Sequence, residues 1–292
     1  MTRISDSTPG SINLSQGFPD FDPPKEILEA LKKNAEGGPQ HQYSITFGAE
    51  NIRKCVAEKY SPLFGREIDP DKEVVITCGS TEAMMASMMT VCNPGDNVIV
   101  FSPFYENYGA DAILSGANPI YVDLVPPAFS FDKEKLEEAF KNNVKAIIVC
   151  NPSNPCGKVF TKEELEFIVG LAVKYDAFVI TDEVYEHIIF APHEHTYCAS
   201  LPSAWGRVIT CNSLSKTFSI TGWRIGFAIA PENVAEGIKK VHDFLTVGAA
   251  APLQEAVCAG FKLGEPYYKS LQALYTKKKA VFLEGLDKAG LK

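Results

Sequence analysis

From about residue 70 onward, short runs of β-branched residues alternate with longer segments whose apolar positions recur at helical spacing. Such alternation predicts a parallel sheet with crossover helices, an α/β core. The expected strands are EVVITC (73–78), NVIVF (97–101), PIYVDL (119–124), AIIVC (146–150), AFVIT (177–181), RVITC (207–211) and IGFAIA (225–230). Helices are expected over 80–92, 132–142 and 232–246, and in TKEELEFIVGLAVKY, where Thr161 and Glu164 have capping-box spacing. The first part of the chain differs. PDFDPP leads into a helix over 25–34, GGPQHQYSITFG forms a loop, and another helix starts near Ala49. At the other end, LQALYTKKKAVFLEGLDKAG is helical with no later strand to cover, which predicts an incomplete second domain. The expected division is an N-terminal arm with part of a small domain (1–45), a large domain (46–235), and a linking helix with the start of a truncated small domain (236–292).

Composition narrows the function classes. The 292 residues are 46% hydrophobic and 22% charged, as in a soluble globular protein, and no apolar run is long enough to cross a bilayer. A net charge of -8 without a Lys/Arg block argues against nucleic-acid or anionic-membrane partners and leaves small molecules. The opening MTRISDSTPGS has no apolar h-region, which predicts no secretion signal and a cytoplasmic location. The 8 cysteines lack CxxC spacing and several fall in strand-like runs, so they read as reduced, buried thiols. The 5 histidines form no HExxH; His193 and His195 in APHEHTY read as a polar loop, and no metal is expected.

Open parallel sheets bind ligands at the carboxyl ends of their strands, so the residues just after each strand carry the chemistry. These are Gly79-Ser80-Thr81, Asn151 to Pro155, Asp182 to Tyr185, and Asn212 to Lys216. The glycine turn exposes backbone N–H groups and two hydroxyls at a helix start, a natural phosphate site, though a plain capped helix has the same look. It is neither GxGxxG nor an ATP-binding loop. Asp182, directly after an apolar strand, needs a cationic or hydrogen-bonding partner, for which a protonated ring nitrogen would serve; an ordinary strand-end aspartate is the alternative. Most lysines are solvated, but Lys216 sits in a small-residue turn at a strand end, where desolvation favours a neutral, nucleophilic amine. Phosphate, an anion for a pyridine nitrogen and an imine-forming lysine are the three grips that pyridoxal phosphate needs.

The stretches NPSNPCGKVF (151–160), TDEVY (181–185) and SLSKTFSITGWRIGF (213–227) together resemble the motifs of the class-I, fold-type-I pyridoxal-phosphate aminotransferases, from about Ile12 to the C-terminus. The resemblance implies their fold: a large domain with a mostly parallel central sheet and flanking helices, plus a small domain. It implies that Lys216 holds the cofactor and then serves as base and acid of a proton shift, and that Asp182 keeps the pyridine nitrogen protonated. Asn154 and Tyr185 would bond the phenolic oxygen, Asn154 also a substrate carboxylate, and Tyr105 would stack on the ring. Gly79, Ser80, Thr81, Ser213 and Arg224 would hold the phosphate. Tyr43 would reach the phosphate of a neighbouring subunit, implying a homodimer.

SINLSQGFPDFDPP and HQYSITFG resemble the kynurenine, glutamine and methionine branch, in which Gly17 lies beside the substrate carboxylate; aspartate-type enzymes share much of the remainder. The implied activity is ping-pong transfer of an amino group from an amino acid to a 2-oxo acid. Alternatives are β-elimination from cysteine conjugates and a hydride-transferring oxidoreductase, the latter disfavoured by the missing nucleotide fingerprint. A further alternative is a cofactor-binding form with little turnover. The family continues for about a hundred more residues, a segment that carries its substrate-carboxylate arginine.

Overall fold

The computed structural model describes residues 1–291. In chain order the elements are α1 (Thr2–Asp6), α2 (Lys25–Ala35), α3 (Glu50–Phe64), β1 (Val74–Thr77), α4 (Ser80–Val91), β2 (Asn97–Ser102), α5 (Asn107–Leu114), β3 (Asn118–Asp123) and α6 (Lys133–Phe140). They continue with β4 (Val144–Cys150), α7 (Lys162–Lys174), β5 (Phe178–Asp182), β6 (Val208–Ser213), β7 (Gly226–Ile229), α8 (Glu232–Thr246), α9 (Ala251–Phe261) and α10 (Gly264–Lys288). All seven expected strands are present, and Thr161 and Glu164 form the capping box that starts α7. Helix α5 follows a turn rather than a helix-start signal and was not expected. The boundary expected at residue 236 falls inside α8. No described helix is long and apolar enough to cross a membrane.

The strands form one sheet in the order β1-β7-β6-β5-β4-β2-β3. Strands β3, β2, β4, β5 and β6 are mutually parallel, whereas β7 runs antiparallel to both β6 and β1. Six strands therefore end at one edge, where β7 begins. Side chains alternate across the sheet, as a period of two requires. Ile76, Ile147, Val149, Val179 and Phe227 face one way, against α3, α6 and α7. Val75, Val98, Ile148, Ile180 and Ile209 face the other, against α4, α5 and α8. Burial on both faces explains why these strands read as continuous apolar runs.

Beneath the first of these faces lies a buried polar knot. Glu186 accepts hydrogen bonds from Lys59 at 2.7 Å, Tyr60 at 2.6 Å and Tyr197 at 2.6 Å, and Asn212 donates to the Tyr60 hydroxyl at 2.9 Å. It ties α3 to the segment after β5 and to β6. Burial alone would raise the Glu186 carboxyl, but the Lys59 ammonium and the donated hydrogen bonds outweigh it and hold it far below the ordinary 4.5. A depressed folded-state pKa stabilises the protein above the unfolded value and loses that contribution as pH falls below it. Glu186→Gln, which leaves the Lys59 cation unmatched, is therefore expected to lower the unfolding free energy by about 3–5 kcal/mol at neutral pH. Denaturant titrations should show the gap to wild type narrowing as pH drops below 4.5.

Candidate active site

The edge at which six strands end is the floor of a cavity of about 840 Å³. Register explains which residues meet there. Cys150 pairs with Asp182, Asp182 with Cys211, and Gly226 with both Ser213 and Thr77, so these strand ends lie side by side. The cavity gathers Ser80, Thr81, Tyr105, Asn154, Asp182, Tyr185, Ser213, Lys216 and Arg224 from five separate parts of the chain, and Gly17 of the N-terminal arm joins them.

Asp182 is the last residue of β5 and is 5% exposed. Its Oδ2 accepts the Tyr108 hydroxyl at 2.7 Å and its Oδ1 the Val184 N–H at 3.3 Å. Burial pushes its carboxyl up to about 6, against the pull of those hydrogen bonds. Lys216 is half-buried; its Nζ donates to the Gly17 carbonyl at 2.7 Å and lies 5.9 Å from the centre of the Tyr185 ring. Burial, followed by the charge of Arg224, lowers its pKa. Burial likewise raises the phenols of Tyr185 and Tyr105, keeping both as neutral donors.

Arg224 stands just before β7 with φ +55°, and its Nη1 donates to the Thr221 carbonyl at 3.1 Å. Gly79, with φ +82°, caps α4 directly beside it: a Cβ there would lie 2.5 Å from Arg224 Nη2. The guanidinium and the start of α4 thus share one small space. Tyr43 is 92% exposed and lies outside this cavity, beside a second hollow formed with residues 246–252.

Several residues here escape the sequence motifs. Tyr108 holds Asp182, and Ser215, next to Lys216, lines the same cavity and has a buried hydroxyl without a hydrogen-bond partner. Tyr108 sits four residues before the buried Ala112 of α5, the one signal that its ring points inward. The segment 191–197 is a loop, as expected, with His193 exposed, but the His195 side chain turns inward and lies 3.0 Å from Glu183. All 8 cysteines are free, and no metal-holding cluster occurs among the described residues.

The close approach of β7 to the α4 turn generates a test. A Cβ on Gly226 would lie 2.4 Å from the Gly79 carbonyl carbon and 2.6 Å from the Ser80 nitrogen, both backbone atoms, whereas Gly222 has open space around it. Gly226→Ala is expected to lower the unfolding free energy by about 1–3 kcal/mol, as overpacking does. Gly222→Ala should leave it nearly unchanged in the same denaturant titration.

Comparison with known proteins accords with this geometry. The chain is 37% identical over 300 residues to the kynurenine--oxoglutarate transaminase of Dictyostelium discoideum, covering 96% of this chain and 69% of that one. It is 35% identical to kynurenine--oxoglutarate transaminase 3 of Mus musculus, of which it spans 66%. Against the methionine aminotransferase of Escherichia coli (strain K12) the identity is 32%, covering 96% of this chain and 72% of the relative. Among solved structures, Escherichia coli YbdL, with a methionine aminotransferase function, superposes with a TM-score of 0.93 at 31% identity, over 98% of this chain and 75% of that one. The N-succinyldiaminopimelate aminotransferase from Mycobacterium tuberculosis gives 0.93 at 34% identity, over 99% and 74%. The family described as aminotransferase class I and II matches residues 9–292, and with this fold and these strand-end residues the chain belongs to it.

Proposed function

We propose that the cavity binds pyridoxal phosphate and that the protein is an amino-acid aminotransferase. The observation that carries this reading is the convergence of Asp182, Lys216 and the Gly79–Arg224 cradle on one cavity. The residues fit the cofactor. Asp182 lacks a cationic partner among the described residues, which a protonated ring nitrogen would supply. Gly79 leaves Arg224 the space that a Cβ would fill, at a helix start suited to a phosphate, and the orphan Ser215 hydroxyl offers another hydrogen bond.

Bound there, pyridoxal phosphate supplies an aldehyde that takes up an amino group and a cationic ring that draws electron density from the substrate. The protein does the rest. Lys216, with its proton affinity reduced by burial, would be the neutral amine that holds the cofactor through its aldehyde, and the group placed to take up and return the substrate Cα proton. Asp182, oriented by Tyr108, would hold a proton on the ring nitrogen. Tyr185 and Asn154, which line the same cavity, would hydrogen-bond the phenolic oxygen, and Tyr105 would shield the ring from water. Arg224 would present paired donors to the phosphate beside the N–H groups of Gly79, Ser80 and Thr81, with Ser213 adding its hydroxyl.

Gly17, whose carbonyl meets Lys216, lies where a substrate carboxylate would approach together with Asn154. Similarity to kynurenine and methionine transaminases supports an amino donor with a large, weakly polar side chain and a 2-oxo acid acceptor. A homodimer, with Tyr43 reaching the partner's phosphate, suits the 92% exposure of that ring. Action in the cytoplasm belongs to the same reading. In this reading, residues 46–235 form the cofactor-binding domain, flanked by the arm of 1–45 and the helices of 236–292.

Borohydride reduction after incubation with pyridoxal phosphate, followed by peptide mass mapping, is expected to find the phosphopyridoxyl group on Lys216. Modification of another lysine, or of none, contradicts the assignment. Arg224→Ala is expected to weaken pyridoxal phosphate binding by about 10- to 100-fold in an absorbance titration, the loss typical of hydrogen bonds to a charged group.

A further inference from the structure

The first turn of α4 carries an acid that the reaction does not use. Glu82 stands one residue past Thr81, and its side chain folds back along the turn. Its Oε2 accepts the Cys78 N–H at 2.5 Å; its Oε1 accepts the Thr246 hydroxyl at 2.7 Å and lies 2.7 Å from His242 Nδ1. His242 is 0% exposed, on the stripe of α8 that also buries Val234 and Ile238. Its other ring nitrogen, Nε2, lies 2.8 Å from the Thr46 carbonyl oxygen.

An ionised carboxylate and a backbone carbonyl only accept hydrogen bonds, so each ring nitrogen satisfies its partner by donating. An imidazole with two N–H groups is a cation. The groups facing it are Glu82 from α4, Asp243 and Thr246 from α8 itself, and the Thr46 carbonyl from the segment before α3; the Cys78 thiol lies beside Glu82. Burial works against the charge, but the Glu82 carboxylate and the Thr46 carbonyl outweigh it and raise the His242 pKa above the ordinary value.

The location gives the pair a purpose. The start of α4 and Arg224 concentrate positive potential where the proposed function puts a phosphate dianion. An uncompensated carboxylate in that same turn would oppose it. We propose that His242, as a buried imidazolium, neutralises Glu82 and locks it onto the Cys78 N–H, so that the Gly79–Thr81 turn keeps its shape and its positive potential for phosphate. His242 is a positioning residue for the phosphate end of the cofactor, and this role rests on the reading of α4 as the phosphate site. The same ring holds Thr46, three residues from Tyr43, so one cation also fixes the root of that exposed loop.

Two ligands, pyridoxal phosphate and phosphate-free pyridoxal, test this by absorbance titration. His242→Gln, which keeps a donor but no charge, is expected to weaken pyridoxal phosphate binding by about tenfold while leaving pyridoxal binding unchanged. Adding Glu82→Gln to that variant should restore the preference for the phosphate, because a neutral amide needs no cation. A wild type without any preference for the phosphate-bearing ligand overturns the phosphate site itself. A preference that survives His242→Gln, equal loss for both ligands, or no recovery in the double variant overturns the role of His242 alone. Should these variants not fold, nitrogen-15 spectra of histidine-labelled wild-type protein decide: two protonated ring nitrogens on His242 at pH 7.5 support the inference, and a neutral ring overturns it.

Discussion

A carboxylate at the end of a buried parallel strand is expensive to keep, and Asp182 is kept in that position by the architecture itself. Its backbone is fixed on both sides by β4 and β6, and its side chain is oriented by Tyr108 from α5. Among the described residues it forms no ion pair, and burial shifts its carboxyl up to about 6. Such a group is poised for a cation brought in by a ligand. The remaining site residues gain their meaning from their distances to it: the amine of Lys216 and the cap of α4 lie around the same cavity, on neighbouring strand ends.

The reversed strand β7 completes this arrangement. Because it runs against β6 and β1, its first residue sits at the edge where the other strands finish, and Arg224, two residues earlier, arrives beside Gly79. The loop that delivers it, between β6 and β7, also carries Lys216. One excursion of the chain therefore supplies both Lys216 and Arg224, the proposed nucleophile and the proposed phosphate cation. The glycine at 226 is required because backbone atoms of the α4 turn occupy the place of its side chain.

Much of this was legible in the sequence because its causes are local. Continuous β-branched runs marked each strand, and the Thr161–Glu164 spacing marked the start of α7. The motifs around Asn154, Asp182 and Lys216 pointed to the chemistry through the residues that follow the strands. The direction of β7 was not legible, since IGFAIA reads alike either way and its partner β1 lies far back in the chain. The polar pairs were equally hidden: Tyr108 with Asp182, Glu82 with His242 and Tyr60 with Glu186 join residues 74, 160 and 126 positions apart. Each left a faint trace. Glu82 stands at capping-box spacing from Gly79, and His242 continues the four-residue step of Val234 and Ile238.

The central claim is that the buried Asp182 carboxylate keeps a ligand's ring nitrogen protonated. Pyridoxal phosphate labelled with nitrogen-15 in the ring reports that proton directly through its chemical shift. At pH 8 the wild-type complex should show a protonated nitrogen and Asp182→Asn an unprotonated one. An unprotonated nitrogen in the wild type, or the same shift in both proteins, would contradict the account.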